Sequence, residues 1–134
     1  MKACFKDINK FSSPEQIEVT KEFVKFLQTQ LPLTEDVYIT FTGNRDIKMT
    51  TGVRMPGHKI YVLAYKRLLI DIFRTIAHEW VHEFQHQKMG LKDTDKIQNI
   101  GGPEENMANT LSGIFVKKFD KENPQYSNVI YGQD

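Results

Sequence analysis

The first regular pattern along the chain is a set of apolar positions at helical spacing. Ser13 suits the N-cap of such a helix, Pro14 suits its first position, and Gln16 stands where a capping box needs its return acceptor. Positions three or four apart share one face of a helix. Here that face consists of Ile17, Thr20, Val24, Leu27 and Leu31, with Phe23 and Phe26 beside it. The pattern predicts a packing helix over about residues 14–31.

Three strand patterns follow this helix. Residues 36–42 alternate apolar and polar side chains, which is typical of a strand with one buried face. The turn-forming pair Gly43-Asn44 separates them from a weaker pattern over about residues 47–53. After a second turn at Pro56-Gly57, residues 59–65 are apolar on both faces. That composition favours a strand buried inside the sheet over one at its edge.

The second half of the chain contains two more helical patterns. The first covers about residues 66–89, and Gly90 is placed to end it in the left-handed conformation. A polar loop over residues 91–102 separates it from a last helix, predicted over about residues 103–119. Asn123-Pro124 ends any helix and leaves residues 123–134 as a tail. The apolar stripe of the last helix consists of Met107, Leu111, Ile114, Phe115 and Phe119.

The predicted order, α-β-β-β-α-α, indicates an α+β fold. We expect an N-terminal helix, a small three-stranded sheet that is mixed or mostly antiparallel, and two helices after it. A length of 134 residues suits one domain, so a single domain over residues 1–134 is expected. The hydrophobic share of 40% and charged share of 26% are ordinary for a globular protein. A net charge of +1 gives no sign of a nucleic-acid or membrane partner.

The single cysteine, Cys4, cannot form an internal disulfide, which favours a reducing compartment. The first eleven residues contain no long apolar run, so neither a signal peptide nor a transmembrane helix is predicted. A cytoplasmic protein is therefore expected, and a phage or host-cell context stays open.

One short motif carries candidate chemistry: His78, Glu79 and His82 form the pattern H-E-x-x-H. On a helix the two histidines stand about 40° apart in azimuth and about 6 Å apart along the axis, so both rings can reach one zinc ion. Glu79 lies about 60° from His82, beside the metal rather than on it. A base that takes a proton from zinc-bound water must stand there. The motif sits in an amphipathic helix whose opposite face consists of Leu69, Ile72, Phe73, Ile76, Ala77, Trp80 and Phe84.

Catalytic zinc usually has three protein ligands, and two histidines leave one place open. His86 would extend the motif by another turn, but it stands about 12 Å along the helix axis from His78. Three side chains on one straight helix cannot all close on one ion at that distance. A downstream residue is therefore the better candidate.

The downstream segment Glu105-Asn106-Met107-Ala108-Asn109 resembles the glutamate helix of gluzincin metallopeptidases, whose motif is E-x-x-[AS]-[DN]. The resemblance implies that Glu105 is the third zinc ligand and that Asn109 orients a ligand histidine. It also implies that small Ala108 lets the two helices approach closely. The neighbouring Glu104 is the alternative ligand, but its spacing to Ala108 does not fit the motif.

Within that clan the chain looks most like the compact minigluzincins, including the ImmA/IrrE family of repressor-cleaving peptidases. Members of that family often show H-E-x-G-H-x-x-x-H followed by E-x-x-A-N. This chain has the outer spacing from His78 to His86, but Val81 stands where the family usually has glycine. It also has no recognisable helix-turn-helix. The resemblance covers about residues 49–119.

Two further roles follow from the resemblance. Gluzincins use a His or Tyr to assist the tetrahedral intermediate, and the candidates are His86, Tyr61, Tyr65, Tyr126 and Tyr131. The strand over residues 47–53 would be the edge of the cleft and would pair with an extended peptide. The alternative is an ordinary edge strand, protected by the charges of Lys48 and Arg54. His58, after the second turn, is interpreted as a loop residue.

The expected function is that of a Zn²⁺-dependent endopeptidase that cleaves an extended protein or peptide segment, with Glu79 activating the zinc-bound water. One alternative is a zinc-binding regulatory or virion-associated interaction module with little or no turnover. Another is a structural protein without metal. The sequence leaves the oligomeric state and the cleavage specificity open.

Overall fold

The computed structural model of the chain describes residues 1–44, 51–92 and 102–132. In these ranges it contains four strands and four α-helices, which confirms the predicted α+β class. The strands are β1 (Ala3–Lys6), β2 (Val37–Thr42), β3 (Gly52–Met55) and β4 (Lys59–Leu63). The helices are α1 (Pro14–Gln30), α2 (Leu69–Lys88), α3 (Pro103–Glu122) and α4 (Ser127–Tyr131), with short 3-10 turns at Ile8–Lys10 and Pro124–Tyr126.

The sheet has one strand more than expected. Its order is β1-β2-β4-β3, and the pairs β1–β2 and β2–β4 are parallel, while β3 runs antiparallel to β4. The expected strand number is therefore wrong, and of the two expected sheet types the mixed one is observed. The missed strand, β1, is only four residues long and has no alternating pattern. It pairs Ala3 with Val37, far along the chain, and α1 provides the crossover that parallel strands need.

Strand β4 occupies the interior of the sheet, as its composition predicts. It lies between β2 and β3, and the side chains of Ile60 and Val62 are fully buried. Strand β3 lies at the edge. Its observed range shares only Gly52 and Val53 with the predicted residues 47–53, because residues 45–50 lie outside the described part of the chain.

Both predicted helix signals are observed. At the start of α1, Ser13 Oγ accepts from the Gln16 backbone N–H at 3.2 Å, and Gln16 Oε1 accepts from the Ser13 N–H at 2.8 Å. These reciprocal bonds form the predicted capping box. After α2, Gly90 adopts φ +77°. The Leu91 N–H then bonds back to the Gln85 carbonyl at 3.1 Å and closes the last turn.

The apolar face of α2 packs on the sheet and on α1, which leaves its polar face for the site described below. The ring of Phe73 stacks on that of Phe23 with centroids 4.4 Å apart, and Phe119 of α3 meets Phe23 edge-on at 5.1 Å. Trp80 is fully buried, and its indole N–H donates to the Leu31 carbonyl at 2.9 Å. The direction of the H-E-x-x-H side chains is thus fixed by the core beneath them.

Helix α3 is rotated relative to the predicted stripe, and the chain after it is not a bare tail. Ile114 is 51% exposed, whereas the buried residues of the helix are Ala108, Ser112, Phe115, Val116 and Phe119. The segment expected as a tail forms α4, which buries Val129 and Ile130 against the core. In the described ranges no helix is both long and apolar enough to cross a membrane.

Candidate metal centre

The structure brings His78, His82 and Glu105 together where α2 meets α3. One ligand atom from each residue lies within 4.8 Å of the others, so the three can hold a metal ion. His78 Nε2 lies 2.7 Å from Glu105 Oε1, and His82 Nε2 lies 3.4 Å from Glu105 Oε2. The two Nε2 atoms are 3.2 Å apart. The cluster contains Glu105 and neither Glu104 nor His86, as the motif predicts.

The spacing of the two imidazole nitrogens fits a shared metal ion. Zinc–nitrogen bonds of about 2.0–2.1 Å at tetrahedral angles place two nitrogens about 3.3 Å apart. The observed 3.2 Å between His78 Nε2 and His82 Nε2 is close to that length. The two nitrogens and the carboxylate are thus placed to hold one metal ion.

Local packing explains why Glu105 faces the histidines. Pro103 begins α3, and the inner face of the helix then continues through Glu105, Ala108 and Ser112. Ala108 is fully buried, and its small side chain permits the close approach that the resemblance implies. Glu104 lies about 100° further round the helix, and its backbone carbonyl accepts from Gln85 Nε2 of α2 at 2.9 Å.

Gln85 orients His82, a member of the possible metal cluster, and the sequence analysis did not assign this role to it. Because Gln85 Nε2 donates to a carbonyl of α3, its Oε1 is the atom that faces His82 Nδ1, at 2.9 Å. That oxygen can only accept, so the proton of the neutral ring sits on Nδ1 and Nε2 keeps its lone pair for a metal. Asn109, which the resemblance offered for such a role, lies on the wall of the cavity with an exposed side chain.

The electrostatics of the histidine pair also suit metal binding. Burial lowers the pKa of His78, and its electrostatic interaction with the neighbouring His82 acts in the same direction, while Glu105 opposes both. The ring is therefore held neutral near pH 7. A neutral imidazole is the form that binds a metal.

Glu79 lies buried beside the cluster. Burial and, to a smaller extent, the charge of Glu105 raise its pKa to about 8, against a hydrogen bond from the backbone of Arg54 that opposes the shift. A carboxylate with a pKa near neutrality can take up a proton and release it again. The site therefore combines a possible metal cluster with an adjacent buried base.

A cavity of about 830 Å³ opens beside these residues and is bounded by β3, α2 and α3. Among the five helper candidates, His86 lines this cavity. Tyr126 instead stacks on Phe119, and the Tyr131 hydroxyl donates to Asp120 at 3.2 Å, while Tyr65 is exposed. The geometry therefore reduces the list but does not by itself assign a helper.

At the far end of β3 one interpretation is wrong and another is confirmed. Arg54 does not protect the edge as a solvated charge, because its side chain is 5% exposed and pairs with Glu83 at 2.7 Å. The other half of that alternative, Lys48, lies outside the described residues. His58 does occupy a turn, with φ +60°, but its Nδ1 lies 2.6 Å from Glu83 Oε2. Glu83 belongs to no motif identified in the sequence; its position one turn after Glu79 is the signal that could have identified it.

Comparison of the chain with protein-family models, with curated proteins and with solved structures found no match. The functional assignment therefore rests on the residues and on their arrangement.

Proposed function

We propose that the protein is a zinc-dependent endopeptidase of the gluzincin type. In this proposal His78, His82 and Glu105 hold the metal and Glu79 is the general base. The observation that carries it is the convergence of these four residues. Donors from an H-E-x-x-H helix and from a separate glutamate helix meet within 4.8 Å, with the motif glutamate buried beside them.

The donor set and the H-E-x-x-H spacing together support zinc. Two imidazole nitrogens and one carboxylate oxygen leave a fourth position for water or substrate, which distinguishes catalytic from structural zinc sites. When bound, zinc acts as a Lewis acid that lowers the pKa of water towards about 7 and polarises a carbonyl group. The carboxylate of Glu105 supplies the negative charge that a dication needs in a partly buried site.

Glu79 moves the protons in the proposed reaction. It accepts a proton from the attacking water and later delivers it to the amine that leaves. Its pKa of about 8 belongs to the metal-free site, and a dication in the neighbouring cluster would lower that pKa towards the working range. The backbone N–H of Arg54 can hold one carboxylate oxygen, so the other can take the proton.

The cavity supports a peptide substrate. One wall is the edge strand β3, whose residues Gly52 to Met55 all line it. An extended segment of a protein or peptide can pair with the outer side of such a strand, which the resemblance also implies. We propose His86 as the helper for the tetrahedral intermediate, because it lines the same cavity.

The test combines metal analysis with a search for new peptide termini. Protein purified without chelators should contain about one zinc per chain. Cells that express it should show new termini that are absent with Glu79→Gln, while Glu104→Ala serves as the matched control that keeps them. One zinc per chain without any new termini would support the regulatory or virion-associated module instead. No metal, or iron in place of zinc, would contradict the proposal.

A further inference from the structure

Helix α2 carries a second polar row, made of Glu79, Glu83 and Gln87 and called the glutamate row below. Its members are four residues apart, so they lie on one face at a rise of about 6 Å per step. Glu79 and Glu83 are both buried. The first member is the base of the proposed function, and the second lies one helical turn further on.

Each carboxylate oxygen of Glu83 has a donor within hydrogen-bond distance. Oε1 lies 2.7 Å from Arg54 Nε, and Oε2 lies 2.6 Å from His58 Nδ1. Gln87 Nε2 donates to the same Oε2 at 2.5 Å. Gln87 Oε1 in turn accepts from two backbone N–H groups of the segment before β2, at 2.9 and 3.0 Å. Glu83 is thus held from three directions.

The ion pair between Arg54 and Glu83 is buried, with side-chain exposures of 5% and 0%. Removing two charges from water costs free energy that their attraction only partly recovers, and well-packed apolar residues often do as well. A buried ion pair therefore contributes little to stability by itself. Its geometric effect is better defined, since it fixes one point of β3 against one turn of α2.

Arg54 contacts two successive members of the glutamate row. In an antiparallel pair, successive residues turn their backbone N–H and C=O groups alternately towards the partner strand and away from it. The Leu63 N–H donates to the Thr51 carbonyl, so Thr51, Val53 and Met55 turn theirs towards β4. Gly52 and Arg54 therefore turn theirs towards the free edge of the sheet. The outward N–H of Arg54 bonds to Glu79, while its guanidinium bonds to Glu83.

We propose that Arg54 and Glu83 are positioning residues for Glu79. Their ion pair fixes β3 along α2 so that the Arg54 backbone N–H stays on one oxygen of the Glu79 carboxylate and the other oxygen is left for the proton. The catalytic consequence rests on the proposed function, but the positional claim does not.

The positional claim is tested by amide hydrogen exchange in the metal-free protein. Glu83→Gln removes the charge of the pair, and Arg54→Lys keeps the charge but loses the fixed guanidinium geometry. In both variants the Arg54 amide should exchange at least about tenfold faster, while the Ala64 amide, which donates to the Thr42 carbonyl of β2 at 2.8 Å, is unchanged. Glu22→Gln, in an exposed pair with Lys25 on α1, is the control. An Arg54 amide that exchanges at the wild-type rate in a folded variant would overturn the proposal.

If Glu83→Gln does not fold, Glu83→Asp takes its place, since it keeps the charge and shortens the side chain by one methylene. The same criteria apply to the Arg54 amide.

The catalytic consequence is tested by a double-mutant cycle on kcat, with KM measured in parallel. Glu83→Gln should lower kcat about tenfold in the wild type but less than about twofold in the Glu79→Gln background, because its effect acts through Glu79. Equal losses in both backgrounds would overturn the positioning role. If the wild-type protein hydrolyses no peptide, the proposed function fails, and the exchange experiment still decides the positional claim.

Discussion

The two polar rows of α2 have the same four-residue spacing but meet different parts of the molecule. The ligand row, His78 and His82, faces α3 and meets Glu105. The glutamate row faces β3 and the segment before β2.

A metal fixes the residue types and the spacing of its ligands, so the ligand row can be recognised in the sequence. Most of the glutamate row takes its role from partners that only the folded sheet supplies. A motif therefore identifies reacting atoms better than the groups that hold them.

The largest expected effect comes from breaking the ligand row. The double change of His78 and His82 to Ala should weaken zinc binding by at least about a thousandfold, because one carboxylate cannot hold the ion alone. Glu105→Ala should weaken binding by about one to three orders of magnitude. Competition with a chromophoric chelator measures both affinities.

The controls for this prediction are the two rejected ligands. Glu104→Ala and His86→Ala should bind zinc within about threefold of the wild type, since neither belongs to the cluster. Tight binding in Glu105→Ala together with loss in His86→Ala would contradict the gluzincin assignment.

The next largest effect is expected from a change of Glu79, the member of the glutamate row that is the proposed base. Glu79→Gln should keep zinc but lower kcat by about two to four orders of magnitude, the usual contribution of a positioned acid or base. The amide has nearly the same shape and cannot accept the proton. Steady-state kinetics on a cleaved peptide, with metal content measured on the same sample, check this expectation. Turnover close to that of the wild type would remove Glu79 from the mechanism.

The sequence predicts the ligand row well for a physical reason. H-E-x-x-H works through local helix geometry, and the contact between His78 and His82 depends on no distant residue. Glu105 could be placed because its motif is equally local to α3. The predicted stripe on α3 was less accurate, because Ile114 is exposed where burial was expected. Ala108 and Ser112 are buried in its place, and they still keep Glu105 on the inner face.

The features that escaped prediction all depend on long-range contacts. Strand β1 is defined by pairing with β2 across the whole of α1. The Arg54–Glu83 pair joins residues 29 positions apart. Gln85 orients His82 only because Glu104, on another helix, fixes the direction of its amide. Each of these interactions joins segments that the local pattern treats separately, so periodicity could not reveal them.

A smaller effect is expected from a change that loosens the ligand row without removing one of its residues. Gln85→Ala should weaken zinc binding by about 10- to 100-fold, because His82 loses the acceptor that fixes its tautomer and ring orientation. Asn109→Ala is the matched control and should stay within about threefold. Chelator competition again gives the affinities. A larger loss in Asn109→Ala than in Gln85→Ala would return the orienting role to Asn109.

The smallest expected effect concerns the closeness of β3 to the glutamate row. A Cβ added at Gly52 would lie 2.4 Å from Thr75 Cγ2, 3.1 Å from the Tyr61 carbonyl oxygen and 3.3 Å from Glu79 Cγ. Gly52→Ala should therefore push the strand from the helix and lower the free energy of unfolding by about 1–2 kcal/mol. The nearest atom is a side-chain methyl carbon, which can shift. The loss in the free energy of unfolding should therefore lie at the lower end of the range for overpacking. Urea unfolding in the presence of a chelator measures it.

Thr75→Ser provides the matched second change, because it removes Cγ2 and keeps the hydroxyl. That hydroxyl accepts from Arg67 at 3.0 Å and donates to the Asp71 carbonyl at 3.1 Å, and both bonds can persist in serine. If the methyl is the obstacle, Gly52→Ala should cost clearly less in the Thr75→Ser background, with a coupling of about 0.5–1 kcal/mol. Purely additive costs would place the obstacle at the Tyr61 backbone instead. In that case β4, rather than α2, sets how closely β3 approaches the base.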